Sequence, residues 1–329
     1  MQVRKRISHR TAAGIVTATV MAMLLSGAPP ASGQAYPAKP VRIIVPYSPG
    51  GGTDILSRAL GEKLGAALGQ SVVVENRPGA NGAIGSDMVA KSAPDGYTLA
   101  VVTGTHVINP FLQTVPFDTL KDFAPVTFVA ISKMVFVSGL QQPFSNMKEL
   151  IAYAKANPGK VAIGNSEAAT MLTGETLKMM AGIDLQQVPY KGDAPLMTDV
   201  VGGHIPVAVT SVTTVMPHYK SQKLRVLGVS STKRSSAMPD VPTVAEAGVP
   251  GFEIQSWYAL LGPKDLPRAI ADRLQREIAK IVATPAMQER FETLGAEAAA
   301  TTPDETAAIL KSDMDKWAGV IRKAGIKPQ

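Results

Sequence analysis

From Pro40 onward the chain alternates short β-branched runs with stretches in which apolar residues recur every three or four positions. Val41–Val45 reads as a buried strand between Pro40 and Pro46, and residues 47–53 read as a glycine-rich turn. Asp54 to Leu68 predicts a helix: Leu56, Leu60, Leu64 and Leu68 repeat every four residues, and Gly69 follows as a C-terminal stop. Val72–Val74 is a second strand, Ala83–Lys91 a second helix and Tyr97–Val102 a third strand. This β-α-β-α-β order implies a parallel sheet with helices on both faces.

A second set follows. Strands are expected at 135–137, 161–163, 188–190, 206–209, 224–229 and 257–261, with helices at 145–156, 170–181 and 195–202. A helical tail closes the chain. Pro267 to Ala283 carries Ile270, Leu274, Ile278 and Val282, and Thr302-Pro-Asp-Glu305 matches a capping box with Pro at the first helical position. Two βα sets and a tail predict an α/β fold of two parallel-sheet lobes with a cleft between them. Open sheets of this kind hold ligands beyond the C-terminal ends of their strands.

The first 35 residues follow another pattern. Arg4, Lys5, Arg6 and Arg10 precede an uncharged run from Thr11 to Leu25, and small or turn-forming residues follow. A run of about 15 residues is shorter than the roughly 20 of a bilayer span, so the segment reads as a secretory signal, cleaved after Ala35 or Gly33. The expected location is the periplasm. The leader holds four of the 33 basic residues and none of the 26 acidic ones, so the formal charge of +7 becomes +3 without it. That balance, without a Lys/Arg cluster and with 5% aromatics, argues against nucleic-acid partners. The absence of Cys excludes disulfides and thiolate chemistry, and the four His residues show no metal-binding spacing. No cofactor or metal is expected.

Candidate chemistry sits in the turns after strands. In Ser48-Pro-Gly-Gly-Gly-Thr-Asp54, Gly50, Gly51 and Gly52 let the backbone approach a ligand, and the helix start offers free N–H groups to an anion such as a carboxylate. The alternative is a tight turn with Thr53 or Asp54 as N-cap. The loop lacks the Lys of a P-loop and the spacing of a dinucleotide fingerprint, although Glu75 mimics its ribose-binding acid. Thr103, Thr105 and His106 follow the third strand, with His106 either a charged donor to a carboxylate or part of the turn. Residues 164–170 offer Asn165, Ser166, Thr170 and the backbone at Ala168 and Ala169, while Glu167 either points away from an anion or binds an amine. Tyr190, Asp193 and Thr210 complete the candidate rim, beside Lys191 and Ser211. No Gly-x-Ser-x-Gly occurs, and the Ser145-x-x-Lys148 pair lacks its companion motifs, so Ser145 reads as an N-cap.

Several stretches together resemble the Bug family (also grouped as UPF0065 or TctC-like), extracytoplasmic solute receptors of tripartite tricarboxylate transporters. They include Tyr36–Pro46, Pro49–Asp54, Val74–Gly82, Ala93–Tyr97, His106–Pro110, Val188–Gly192 and Pro239–Gly248. The resemblance implies a type II periplasmic-binding-protein fold, with one lobe from residues 36–130 plus 258–329 and the other from 131–257. It implies a monomeric receptor that performs no covalent chemistry, a small carboxylate ligand anchored at the glycine loop, and membrane permease subunits as partners. A sensing role, or less favourably an exported hydrolase, is the alternative. The chain departs from the family pattern at Glu167, Met171, Asp193 and Thr210-Ser211, which shifts expectation toward a less polar or aromatic acid.

Overall fold

The computed structural model describes residues 36–328. The expected leader lies outside the described residues, and none of their helices is long and apolar enough to cross a membrane.

The first βα set folds as its periodicity predicts. Strand β1 (Val41–Val45) pairs in parallel with β2 (Val72–Asn76) and β3 (Thr98–Val102), with α1 (Gly52–Leu68) and α2 (Ala83–Ala90) connecting them. Helix α1 begins at Gly52 and its N-cap is Gly51, not Thr53 or Asp54; Gly69 ends it in the left-handed region. A helix α3 (Thr105–Leu112) stands where a turn was expected, because Thr103, Thr105 and Asn109 hide its apolar face from the periodicity.

Strand β4 (Phe123–Ser138) runs for 16 residues, far beyond the predicted 135–137. Pro125 argues against a strand, and the structure accommodates it where the register shifts between Pro125 and Thr127. The first part of β4 pairs antiparallel with β9 (Gln255–Pro263), and its last residues pair with β7 (Val207–Ser211) and β8 (Arg225–Val229). In the second half, β5 (Val161–Asn165) pairs in parallel with β6 (Leu185–Pro189) and β7. Helices α4 (Met147–Ala156), α5 (Ala168–Ala181), α6 (Asp193–Gly202) and α7 (Val212–Lys220) connect these strands. Asn146, not Ser145, caps α4: its side chain accepts from the Glu149 N–H.

The strand order β2-β1-β3-β9-β4-β7-β5-β6 is therefore one curled sheet with a parallel group at each end and an antiparallel centre. The tail contributes α8 (Arg268–Val282), α9 (Pro285–Thr293), the short β10 (Ala296–Ala298) on β4, and α10 (Pro303–Ala324). Helix α10 has the predicted Thr302/Glu305 capping box. It inserts Leu310, Trp317 and Ile321 into the core and packs against α3, β4 and α5. Its Asp313 Oδ2 accepts from the indoles of Trp257 (2.9 Å) and Trp317 (3.2 Å).

Candidate functional site

The C-terminal ends of the parallel strands converge on a cavity of about 470 Å³. One wall comes from the β1–α1 loop (Tyr47, Ser48, Gly51, Gly52, Thr53) and the Pro78–Gly82 turn after β2. The other comes from Ser166 and Glu167 after β5, Tyr190–Asp193 after β6, and Thr210 and Ser211 at the end of β7, while Tyr258 of β9 joins both.

On the first wall the backbone approach requires glycine. A Cβ on Gly52 would stand 2.5 Å from the Tyr258 hydroxyl and 2.7 Å from Ser211 Oγ; one on Gly51 would stand 2.9 Å from Asp193 Oδ2. Two of the amides expected to be bare are engaged. Gly50 N–H donates to Asp54 Oδ2 (3.0 Å), and Gly52 N–H donates to Thr214 Oγ1 (3.1 Å). Asp54 therefore folds back on its own loop and pairs with Arg58 (2.8 Å); neither it nor Gly50 lines the cavity.

The second wall is organised around two carboxylates. Asp193, the first residue of α6, accepts from Ser166 Oγ (2.6 Å) and Thr210 Oγ1 (3.3 Å) at Oδ1, and from Thr214 Oγ1 (2.9 Å) at Oδ2. Glu167, the N-cap residue of α5, accepts from Thr105 Oγ1 (2.8 Å) at Oε2, and Thr103 Oγ1 lies 3.0 Å from the same oxygen. Burial, and then the neighbouring Asp193 charge, push the Glu167 carboxyl up to about 7. Burial pushes the Tyr258 hydroxyl up to about 12 and the Tyr47 hydroxyl higher still, so both stay neutral donors. The Tyr190 hydroxyl donates to Asp199 Oδ2 (2.7 Å).

Of the residues singled out in the sequence, Ser48, Gly51, Gly52, Thr53, Ser166, Thr170, Tyr190, Asp193 and Thr210 line the cavity. Thr103 and Thr105 lie behind it and act through Glu167. His106 is not a charged donor. It is 1% exposed, packed against Phe117 and edge-on to Phe123, and its Nε2–H meets the Thr119 carbonyl (3.3 Å). Burial lowers its pKa to about 4, which leaves a neutral core histidine. Asn165 is turned to the sheet edge, donating to Gln187 Oε1 (2.9 Å). Ala168 and Ala169 are buried in α5, with Ala169 N–H donating to Thr105 Oγ1 (3.2 Å).

Sequence reasoning placed Ser211 on the rim, did not select Pro46, Tyr47, the Pro78–Gly82 turn, Gly192 or Tyr258, and left Glu167 and Lys191 undecided; all line the cavity. The position of residues 78–82 after β2, equivalent to that of the glycine loop after β1, was the available signal.

Residues 56–326 match the tripartite tricarboxylate transporter family receptor. The chain belongs to that family. It is 36% identical to the protein BugT of Bordetella pertussis over 305 residues, covering 91% of this chain and 94% of BugT. It is also 36% identical to the UPF0065 protein of the tcbD-tcbE intergenic region of Pseudomonas sp. strain P51, covering 97% and 94% of the two chains. Among solved structures, Rpa4515 of R. palustris with adipate superimposes at a TM-score of 0.87 and 31% identity, over 89% of this chain and all of that one. The periplasmic binding protein BugD gives 0.85 and 35%, over 89% and 100%. Family members are substrate-binding receptors rather than enzymes, and the two-lobed α/β architecture read from the sequence is the family's.

Proposed function

We propose that this chain is a periplasmic receptor that captures a small organic carboxylate between two lobes and delivers it to the permease of a tripartite tricarboxylate transporter. The observation that carries this reading is the position of the cavity, between the C-terminal strand ends of both parallel groups and beside the N-terminus of α1. Such a site meets a guest with backbone N–H groups and helix-dipole charge. The likeness to Rpa4515, solved with adipate, supports the ligand class.

The lobes would be residues 36–130 plus 258–329 and residues 131–257, hinged where β4 and β9 pass between them. The ligand would favour the closed arrangement through its contacts with both walls. The basic leader supports export, with the mature receptor acting as a monomer.

The test is a thermal-shift and calorimetric screen of mono-, di- and aromatic carboxylates. A true ligand at 100 times its Kd stabilises the fold by about 2.7 kcal/mol, without being consumed. Gly51→Leu, which drives a side chain into Asp193, abolishes that shift. A broad acid library that leaves the melting temperature unchanged would overturn the reading.

A further inference from the structure

The Asp, Glu, Lys and Arg residues lining the cavity, among the described residues, are Glu167, Asp193 and the exposed Lys191, whose backbone carbonyl accepts from Ser48. Two are acids, and no arginine is present to clamp a second carboxylate of a guest. Neither Glu167 nor Asp193 makes an ion pair among the described residues. By contrast, Glu75 pairs with Arg42 and Arg77, and Asp54 with Arg58.

The hydroxyls that looked like anion donors are already committed. Ser166, Thr210 and Thr214 each direct their single proton to Asp193, and Thr105 directs its proton to Glu167. A hydroxyl that has given its proton away offers a guest only lone pairs. Asp193 also reaches the N-terminus of α1, where its Oδ2 lies 2.9 Å from the Cβ position of Gly51 and is linked to Gly52 N–H through Thr214. An internal carboxylate thus stands beside the electropositive helix end, so a guest carboxylate held there has an acid as its neighbour.

We propose that Glu167 and Asp193 determine the specificity of this cavity and select a zwitterionic guest: one carboxylate, met at the N-terminus of α1, and a protonated nitrogen seated between the two acids in place of a second carboxylate. This rests on the cavity being an acid-binding site, and it replaces the expectation of an apolar or aromatic distal group. Burial, and after it the Asp193 charge, raises the Glu167 carboxyl, and no cation among the described residues pairs with it.

The experiment is titration calorimetry of the full mature chain at pH 7.5 with matched acids: 4-aminobutyrate against butyrate and succinate, 5-aminopentanoate against pentanoate and glutarate, and glycine betaine against acetate. The amino or betaine member of at least one set binds tenfold or more tightly than its nitrogen-free partners. Asp193→Asn and Glu167→Gln each reduce that affinity tenfold or more and raise the affinity for the dicarboxylate of the set. Both variants keep side-chain shape, and circular dichroism with a thermal melt verifies their fold.

If succinate or glutarate binds the wild type as tightly as the amino acid, or the two variants leave the preference unchanged, this inference fails while the carboxylate reading stands. If no member of any set binds, and the wider acid library is also silent, the carboxylate reading fails and takes this inference with it.

Discussion

Gly52 and Gly319 are both helical glycines, yet their surroundings give substitution opposite signs. A methyl group on Gly52 would press against the buried Tyr258 and Ser211, whereas nothing lies within 4 Å of one on Gly319 in α10. Gly52→Ala should cost about 1–3 kcal/mol through overpacking, and Gly319→Ala should gain about 0.5–1 kcal/mol by removing a helix-interior glycine. Thermal or urea melts check both signs. Glu167 makes a pH prediction. Its carboxyl sits at about 7 against an ordinary 4.5, so its stabilising contribution is full below pH 4.5 and is lost as pH rises through 7. The charge facing it, that of Asp193, disfavours its ionised form, while hydrogen bonds from Thr105 and Thr103 favour it. His106 runs the other way: at about 4 against 6.5, its contribution is full above 6.5 and is lost as pH falls through 4. Subtracting Glu167→Gln isolates the first effect. The melting-temperature advantage of wild type over Glu167→Gln should shrink steadily from pH 5 to pH 8; parallel curves would refute it. Sequence reading found the polar wall residues because they follow strands. It could not orient Glu167, whose direction is set by Thr103 and Thr105 from a distant segment, nor exclude His106, whose neutrality comes from Phe117 and Phe123.

Elements with a clean period were legible, and those shaped by tertiary pairing were not. The leucine repeat of α1 and the capping box of α10 needed only local chemistry. The first part of β4 was concealed by Pro125, which is tolerable only because the register slips beside it; α7, α9 and β10 are short pieces held by neighbours. At this scale Asp313 is the joint between α10 and β9. Asp313→Ala would leave the indole N–H groups of Trp257 and Trp317 without their acceptor, at about 1–3 kcal/mol for each buried donor. The expected result is a lowered melting temperature together with altered tryptophan fluorescence. Asp313→Asn, which keeps an acceptor oxygen, should recover most of the loss.

Across the whole molecule, the two walls of the cavity touch directly. Gly52 N–H reaches Thr214, Ser48 Oγ donates to the Lys191 carbonyl (3.1 Å), and Thr105 reaches Glu167. Thr214→Val removes the hydroxyl that accepts from Gly52 and donates to Asp193, so the Gly52 amide should exchange with solvent about tenfold faster, a change of about 1.4 kcal/mol in the opening equilibrium. Hydrogen-exchange mass spectrometry of the 47–56 peptide would show it, and an unchanged rate would mean that this contact does not hold the walls together. The route of the chain has a further consequence. Trp317 and Ile321, near the end of the sequence, fill a core that also contains Ile44, Val102 and Val107 from near its start. That core is therefore incomplete until α10 has been synthesised. Truncation ahead of Thr302 should leave an incompletely packed, protease-sensitive chain rather than a smaller folded protein.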